Sequence, residues 1–190
     1  MGFAIAGAAR QRGASVTLIS GPVSIPPPPG VEVMAVTTAM EMRDAVLTRA
    51  AQADVVIKAA AVADFRPSVT MNHKAKKGAI APTLPLTSNP DILKELGELK
   101  RNQERFPLLV GFAAETHNHL AEGARKLQEK NLDLMVINDI SGDNTGFAAD
   151  TNRVTLLDSE STTQELPLLS KEEVAHRILD RVAAMMPRRD

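Results

Sequence analysis

Several residues of this sequence could act on a phosphate group or hold a metal ion. Asp64 follows a β-branched apolar run, Val55–Ile57, after a series of small residues. The run predicts a buried parallel strand, and ligands of open α/β sheets bind where such strands end. Asp64 could therefore hold a metal ion or a hydroxyl group, although an ordinary turn with a solvated aspartate explains the same residues equally well.

Two groups of lysines could bind an anion. Lys126 and Lys130 are four residues apart, so on a helix both ammonium groups project from one face. A triphosphate between them would relieve their repulsion, but a solvated helix surface is the commoner explanation for such a pair. Lys74, Lys76 and Lys77 form the KAKK cluster in a long irregular stretch. This stretch is typical either of a mobile lid that brings cations to a phosphate or carboxylate, or of a charged loop tip.

Phe112 and Glu115 lie in the segment GFAAET, at the end of another apolar run. Phe112 could line a base or ribose or belong to the core, and Glu115 could orient a water or cap the next helix. The four histidines of the chain lack the spacing of a helical HExxH metal site. GxSxG, Walker A and GxGxxG motifs are also absent, so the sequence carries no hydrolase, P-loop or dinucleotide fingerprint.

The composition excludes further classes of protein. A chain of 190 residues predicts one domain with a substantial core, and a net charge of -1 gives no indication of a nucleic-acid or membrane partner. No run is long enough to span a membrane, and the N-terminus lacks a signal pattern. The chain has no cysteine, which fits a cytoplasmic protein, and no tyrosine, which excludes mechanisms that need a phenol.

Helical and strand patterns alternate along the chain. The predicted helices cover Met1–Arg12, Thr38 to about Ala53, Asn89 to about Lys100, Asn118 to Lys130, and a stretch after Ser170. The predicted strands cover Ser15–Ser20, Val31–Val36, the run from Val55, Leu108–Ala113 and Leu134–Asn138, followed by a hairpin of Arg153–Leu157 and Thr163–Pro167. The long irregular stretch, Asp64 to Pro85, leaves room for a short strand near Thr83–Thr87. Asn89 is the expected N-cap of the third helix. Such alternation predicts an α/β fold with a parallel sheet.

Five segments in this order resemble one family: AAAVADFRP, KAKK, SNPDIL, LLVGFAAET and KLQEKNLDLMVIND. The family is bacterial phosphopantothenate–cysteine ligase, or phosphopantothenoylcysteine synthetase, which is the ligase half of the bifunctional coenzyme A biosynthesis protein. The resemblance runs from Met1 to roughly the last helix. It implies a Rossmann-like three-layer α/β/α sandwich with a mostly parallel sheet, a C-terminal β-hairpin and a final helix. It also implies a homodimer.

The resemblance further implies an activity and its partners. Members of the family join 4'-phosphopantothenate to CMP as an acyl-cytidylate, releasing pyrophosphate from CTP. The amine of L-cysteine then displaces CMP to give 4'-phosphopantothenoylcysteine. Mg²⁺ is the implied cofactor, and phosphopantothenoylcysteine decarboxylase is the implied fused or separate partner.

Each family motif places residues in the implied site. Lys58, Ala59 and Ala60 would form a backbone wall beside the nucleotide, Asp64 would help hold Mg²⁺ and nucleotide, and Lys74 would act on the phosphates and the acyl intermediate. The other implied CTP-binding residues are Pro90, Asp91, Ile92, Leu93, Phe112, Lys126 and Lys130.

The sequence also departs from the family pattern. Family members carry a strand, a glycine-rich turn and an SN-x-SSGK-like stretch before the segment that matches Met1-Gly2, and its asparagine serves conversion of the acyl-cytidylate. We therefore expect a single ligase domain over residues 1–190, incomplete at its N-terminus, that folds but catalyses weakly. A nucleotide-binding module without catalysis is the main alternative. A nicotinamide-dependent oxidoreductase is disfavoured because it needs a glycine-rich cofactor loop and usually a tyrosine base.

Overall fold

A computed structural model of the chain describes residues 1–70, 83–115, 119–139 and 150–187. The helices of this part are α1 (Gly2–Gln11), α2 (Ala39–Ala50), α3 (Ile92–Arg101), α4 (His119–Glu129) and α5 (Lys171–Met185). The strands are β1 (Thr17–Ser20), β2 (Glu32–Ala35), β3 (Val55–Lys58), β4 (Phe65–Pro67), β5 (Leu86–Ser88), β6 (Leu108–Glu115), β7 (Leu134–Asp139), β8 (Thr151–Asn152), β9 (Val154–Asp158), β10 (Thr163–Glu165) and β11 (Leu169–Ser170).

The central sheet has five strands in the order β10-β9-β7-β6-β3. Strands β3, β6 and β7 are parallel, whereas β9 and β10 form an antiparallel hairpin at one edge. Strands β1 and β2 form a separate parallel pair, and β11 pairs with β8. The predicted parallel sheet and C-terminal hairpin are therefore confirmed.

Alternate residues of the central strands face two different helical layers, as the period of a β-strand requires. Val110 and Val136 face a core cluster with helices α1 and α5. Leu109 and Met135 face the opposite cluster, to which α2, α3 and α4 contribute. The strands are buried on both faces, which explains why they read as continuous apolar runs. The result is the predicted three-layer α/β/α sandwich.

The helix ends follow local sequence signals. Thr38 accepts a hydrogen bond from the Glu41 N–H, although the Glu41 carboxylate accepts from the Thr37 N–H rather than from Thr38. At α5 the capping box of Ser170 and Glu173 is complete, with both reciprocal bonds present. These caps fix where α2 and α5 begin and confirm the predicted boundaries.

The stretch predicted to be irregular after Asp64 contains a short antiparallel pair. Strand β4 pairs with β5 so that Phe65 lies opposite Ser88. Strand β5 is the short strand expected near Thr83–Thr87, whereas β4 was not predicted. The KAKK cluster, including Lys74, lies outside the described residues. None of the helices that the structure describes is both long and apolar enough to cross a bilayer.

Candidate functional site

The carboxyl end of β3 is the first wall of the candidate site. The side chain of Lys58 is half-buried, and its Nζ donates a hydrogen bond to the Ala60 carbonyl at 3.0 Å. Lys58 lies two residues after Val56, so both side chains leave the sheet on the face of α3 and α4. The start of α1 also lies here, since a Cβ built on Gly2 would be 3.7 Å from the Ala59 Cβ.

Asn89 connects the loop after β3 to the start of α3. Its backbone N–H donates to the Asp64 carbonyl at 2.7 Å, and its side-chain Nδ2 donates to the Ala63 carbonyl at 2.8 Å. Its Oδ1 accepts from Arg66 at 2.9 Å. The side chain of Asn89 is thus fully engaged with the loop, and the prediction that Asn89 caps α3 is wrong.

Asp91 caps α3 instead. Its Oδ1 accepts from the Lys94 backbone N–H at 3.2 Å, while its Oδ2 forms an ion pair with the Lys130 ammonium at 2.7 Å. The next residues, Ile92 and Leu93, are only 1% and 4% exposed, and their side chains belong to the core. Only their backbone N–H groups, at the positive end of the helix, are available to a ligand.

The backbone of Lys130 is set by a very close contact between the end of α4 and α3. A Cβ on Gly97 would lie 1.9 Å from the Lys130 carbonyl oxygen, so only glycine permits this approach. Asn131 follows with a positive φ of 51° and donates from Nδ2 to the Gly97 carbonyl at 3.2 Å. The long Lys130 side chain can then reach along α3 to Asp91.

Lys58, Asp91 and Lys130 form one electrostatic cluster. Burial lowers the pKa of the Lys58 ammonium, Asp91 raises it, and nearby Lys130 lowers it, with a net shift below the ordinary lysine value. Burial raises the pKa of Asp91, but hydrogen bonds from Lys130 and the Lys94 backbone N–H, together with both lysine charges, lower it overall. The cluster carries two positive charges and one negative charge, so it favours an anion.

The remaining predicted site residues differ in their exposure and in the face of the sheet that they occupy. Lys126 lies one turn before Lys130, and Pro90 precedes Asp91; both are half-buried. Asp64 is exposed, and Ala60 is exposed beside the Lys58 ammonium. Phe112 packs with its ring against the α1–α5 cluster, on the other face of the sheet. The ring of Phe112 therefore does not line the α3–α4 face of the sheet.

The described residues contain no group of three or more histidine, aspartate or glutamate side chains that could hold a metal ion. Asp64 offers a single carboxylate, and within the described part of the chain it has no side-chain hydrogen bond. Sequence reasoning missed Gly97, Arg66 and Asn131, which position the cluster. The only sequence signal for them was a glycine inside an otherwise helical pattern at Gly97.

Comparison with known proteins identifies the family. The model of the DNA/pantothenate metabolism flavoprotein C-terminal domain family matches residues 1–186. The chain belongs to this family. The coenzyme A biosynthesis bifunctional protein CoaBC of Bacillus subtilis is 49% identical over 186 residues, which are 97% of this chain and 45% of that protein. The chain thus spans about half the length of the curated relative.

Solved structures agree with this assignment. A crystal structure of the C-terminal domain of a CoaBC protein matches with a TM-score of 0.79 and 39% identity, over 96% of this chain and 80% of that chain. A mutant of Cab2 in complex with phosphopantothenate-cysteine matches with a TM-score of 0.69 over 96% of this chain and 77% of that chain. At 16% identity the second match supports the fold alone. The family and fold implied by the sequence are confirmed.

Proposed function

We propose that this chain acts in coenzyme A biosynthesis by ligating 4'-phosphopantothenate to L-cysteine at the expense of CTP. The observation that carries the proposal is the cluster of Lys58, Asp91 and Lys130 at the carboxyl end of β3, in a chain that is 49% identical to a CoaBC protein. A net positive, partly buried cluster at this edge of an α/β sheet suits a phosphate-bearing ligand. The name of the CoaBC relative supports the same pathway.

The proposed chemistry has two displacements. In the first, a carboxylate oxygen of 4'-phosphopantothenate attacks the α-phosphorus of CTP, and pyrophosphate leaves. In the second, the amine of L-cysteine attacks the acyl carbon of the acyl-cytidylate, loses a proton, and expels CMP. A free carboxylate is a poor acyl donor, whereas CMP is a good leaving group. The protein therefore contributes mainly by holding the reactants and by placing cations near the phosphates.

The described residues suit these roles. Lys126 and Lys130 would contact the outer phosphates, and the backbone of Lys58, Ala59 and Ala60 would border the nucleotide. At the N-terminus of α3, Asp91, Ile92 and Leu93 would offer backbone N–H groups to the nucleotide, and Pro90, which has no N–H, would lie beside them. Lys74, proposed to act on the phosphates and acyl intermediate, lies outside the described residues.

Mg²⁺ is the proposed cofactor, and a single carboxylate is enough to fit it. Mg²⁺ in nucleotide sites commonly uses one or two carboxylates together with substrate phosphates and waters. Asp64 is exposed at the sheet edge, and Asn89 holds its backbone beside the start of α3. When bound, the ion would neutralise charge on the triphosphate. Asp64 would orient that ion toward the nucleotide.

The direct test is product formation. The chain is incubated with 4'-phosphopantothenate, L-cysteine, Mg²⁺ and CTP, and 4'-phosphopantothenoylcysteine, CMP and pyrophosphate are quantified by mass spectrometry. Equal amounts of the three products, with ATP and GTP much less effective, would support the proposal. Binding of CTP without release of pyrophosphate would support a nucleotide-binding module instead. No CTP turnover, beside an active Bacillus subtilis CoaBC control, would contradict the ligase assignment.

The proposed assembly is a homodimer. Light scattering should give about twice the chain mass of 20.4 kDa. The proposed decarboxylase partner is testable by supplying that enzyme and following consumption of 4'-phosphopantothenoylcysteine.

A further inference from the structure

We propose that the Asp91 carboxylate pairs with the Lys130 ammonium when no ligand is bound, and that a polyphosphate displaces this carboxylate from the ammonium on binding. This is called the exchange role of Asp91 below. The inference rests on the proposed function only in placing a phosphate ligand at this site. It assigns to the Asp91 side chain a role in setting how tightly that ligand is held.

The two carboxylate oxygens of Asp91 have separate tasks. Oδ1 accepts from the Lys94 backbone N–H at 3.2 Å and caps α3, whereas Oδ2 meets the Lys130 ammonium at 2.7 Å. A helix cap requires one acceptor, and asparagine or serine serves as well as aspartate. Apart from its interaction with the dipole of α3, the negative charge of Asp91 therefore acts through its contact with Lys130 and its effect on Lys58.

The Asp91–Lys130 ion pair is open enough to exchange. The side chains are 42% and 24% exposed, and partly exposed ion pairs contribute little to stability because water competes for them. Contacts between an ammonium and a phosphate are stronger, since the acceptor carries more charge. A polyphosphate at this site should therefore take over the Lys130 ammonium.

Lys58 makes the exchange more favourable. Its half-buried ammonium donates to the Ala60 carbonyl and lies within the electrostatic reach of both Asp91 and Lys130. Once a phosphate engages Lys130, Asp91 still has a positive charge nearby. The carboxylate is thus never left without a cation, and after the product leaves it can pair with Lys130 again.

The test uses base-free probes, so that it does not depend on recognition of cytidine. Binding of inorganic tripolyphosphate and pyrophosphate is measured by calorimetry at 0.15 M salt for the wild type and for Asp91→Asn. Asparagine keeps the cap and removes the charge, so the melting temperature should change by no more than a few degrees. We expect both ligands to bind roughly 3- to 10-fold more tightly to Asp91→Asn, because no carboxylate competes for Lys130.

Three further variants make the result specific. Asp91→Ser also keeps a cap without charge and should reproduce the gain in affinity. Glu98→Gln makes the same charge change on an exposed side chain of the same helix, about 10 Å further along α3. At a Debye length of about 8 Å this control should shift affinity less than twofold. In a Lys130→Met background, Asp91→Asn should lose most of its effect on polyphosphate affinity, because the ammonium for which the carboxylate and the ligand compete is absent.

The outcomes separate the two proposals. Weaker or unchanged polyphosphate binding by Asp91→Asn, a gain as large in Glu98→Gln, or a full gain in the Lys130→Met background would each overturn the exchange role. Absence of polyphosphate binding by every variant would overturn it as well. CTP is titrated in parallel: tighter polyphosphate binding without any preference for CTP would keep the exchange role and reject the proposed nucleotide.

Discussion

The close approach of α3 to the end of α4 should make Gly97→Ala destabilising, although alanine is the better helix former. A Cβ at position 97 would lie 1.9 Å from the Lys130 carbonyl oxygen, whereas real Cβ atoms stay at least 3.0 Å away. Helix α3 and the end of α4 would have to separate by about 1.1 Å. The obstructing atom belongs to the backbone, so no side-chain rotation can relieve the clash.

The expected magnitude follows from two opposing effects. Forcing extra volume into packed structure costs about 1–3 kcal/mol, and the replacement of glycine by alanine within a helix returns about 0.5–1 kcal/mol. Because the clash at Gly97 is severe, we expect a net loss of about 2 kcal/mol. For a chain of this length that lowers the melting temperature by about 4–8 °C. The same shift displaces Lys130, so polyphosphate binding should weaken.

A matched control is available in α1. A Cβ on Gly7 would meet its nearest neighbour, Pro28, at 3.5 Å, which is ordinary van der Waals contact. Gly7→Ala should therefore stabilise the protein by up to about 1 kcal/mol through helix propensity alone. Thermal unfolding of both variants is followed by circular dichroism. If Gly97→Ala melts at or above the wild-type temperature, the inferred close contact and its role in placing Lys130 are wrong.

Three further changes test other parts of the structure. Asp64→Asn should weaken binding of Mg–CTP and leave the melting temperature unchanged, and unchanged Mg–CTP affinity would reject Asp64 as the metal-orienting group. Arg181→Leu should lower the free energy of unfolding by about 3 kcal/mol, measured by chemical denaturation, because the Asp158 carboxylate, only 3% exposed, loses its cation. A loss below about 1 kcal/mol would contradict this role of the ion pair. Side-chain and backbone hydrogen bonds from Ser170 lower the pKa of Glu173 below its ordinary value of 4.5. The stability that this contact contributes is therefore fully present above pH 4.5, and it is lost as the pH falls through the lower pKa of the folded state. The melting temperatures of wild type and Glu173→Gln should therefore converge in acid, and a constant gap from pH 7 to pH 3 would contradict the assignment.

The sequence predicted the alternation of helices and strands because each signal was local. Apolar periodicity, glycine after α1 and the cap of α5 act within a few residues of one another. The pair Lys126 and Lys130 could be proposed from helical spacing alone for the same reason. Membership of the family and the three-layer fold are confirmed, whereas the roles of the individual site residues stay predictions.

Non-local contacts explain what the sequence did not predict. The segment of Asn89, Pro90 and Asp91 offers two possible caps, and Asn89 loses that role because Ala63 and Arg66, more than twenty residues earlier, engage its side chain. Lys130 also pairs with Asp91, the N-cap of another helix, and helical spacing did not predict that contact. No periodicity encodes either partner.

The acidic turn of the C-terminal hairpin shows the same limit. Asp158 accepts from the Glu160 and Thr162 backbone N–H groups at 3.0 and 2.9 Å, which a turn signal can suggest. Its burial, however, depends on Arg181 from α5, 23 residues away in sequence. The guanidinium of Arg181 compensates the buried charge of Asp158, and it reaches Asp158 only because α5 packs against the hairpin.

In the proposed function, the cluster near Lys130 binds the outer phosphates of CTP. Calorimetric titration of the wild type, Lys126→Ala and Lys130→Ala with CTP and with CMP, in the presence of Mg²⁺, tests it most directly. Each charge-assisted contact contributes about 1.5–3 kcal/mol, so each substitution should weaken CTP binding by roughly 10-fold or more while changing CMP binding much less. Equal losses for CTP and CMP, or undiminished CTP binding by both variants, would contradict the claim.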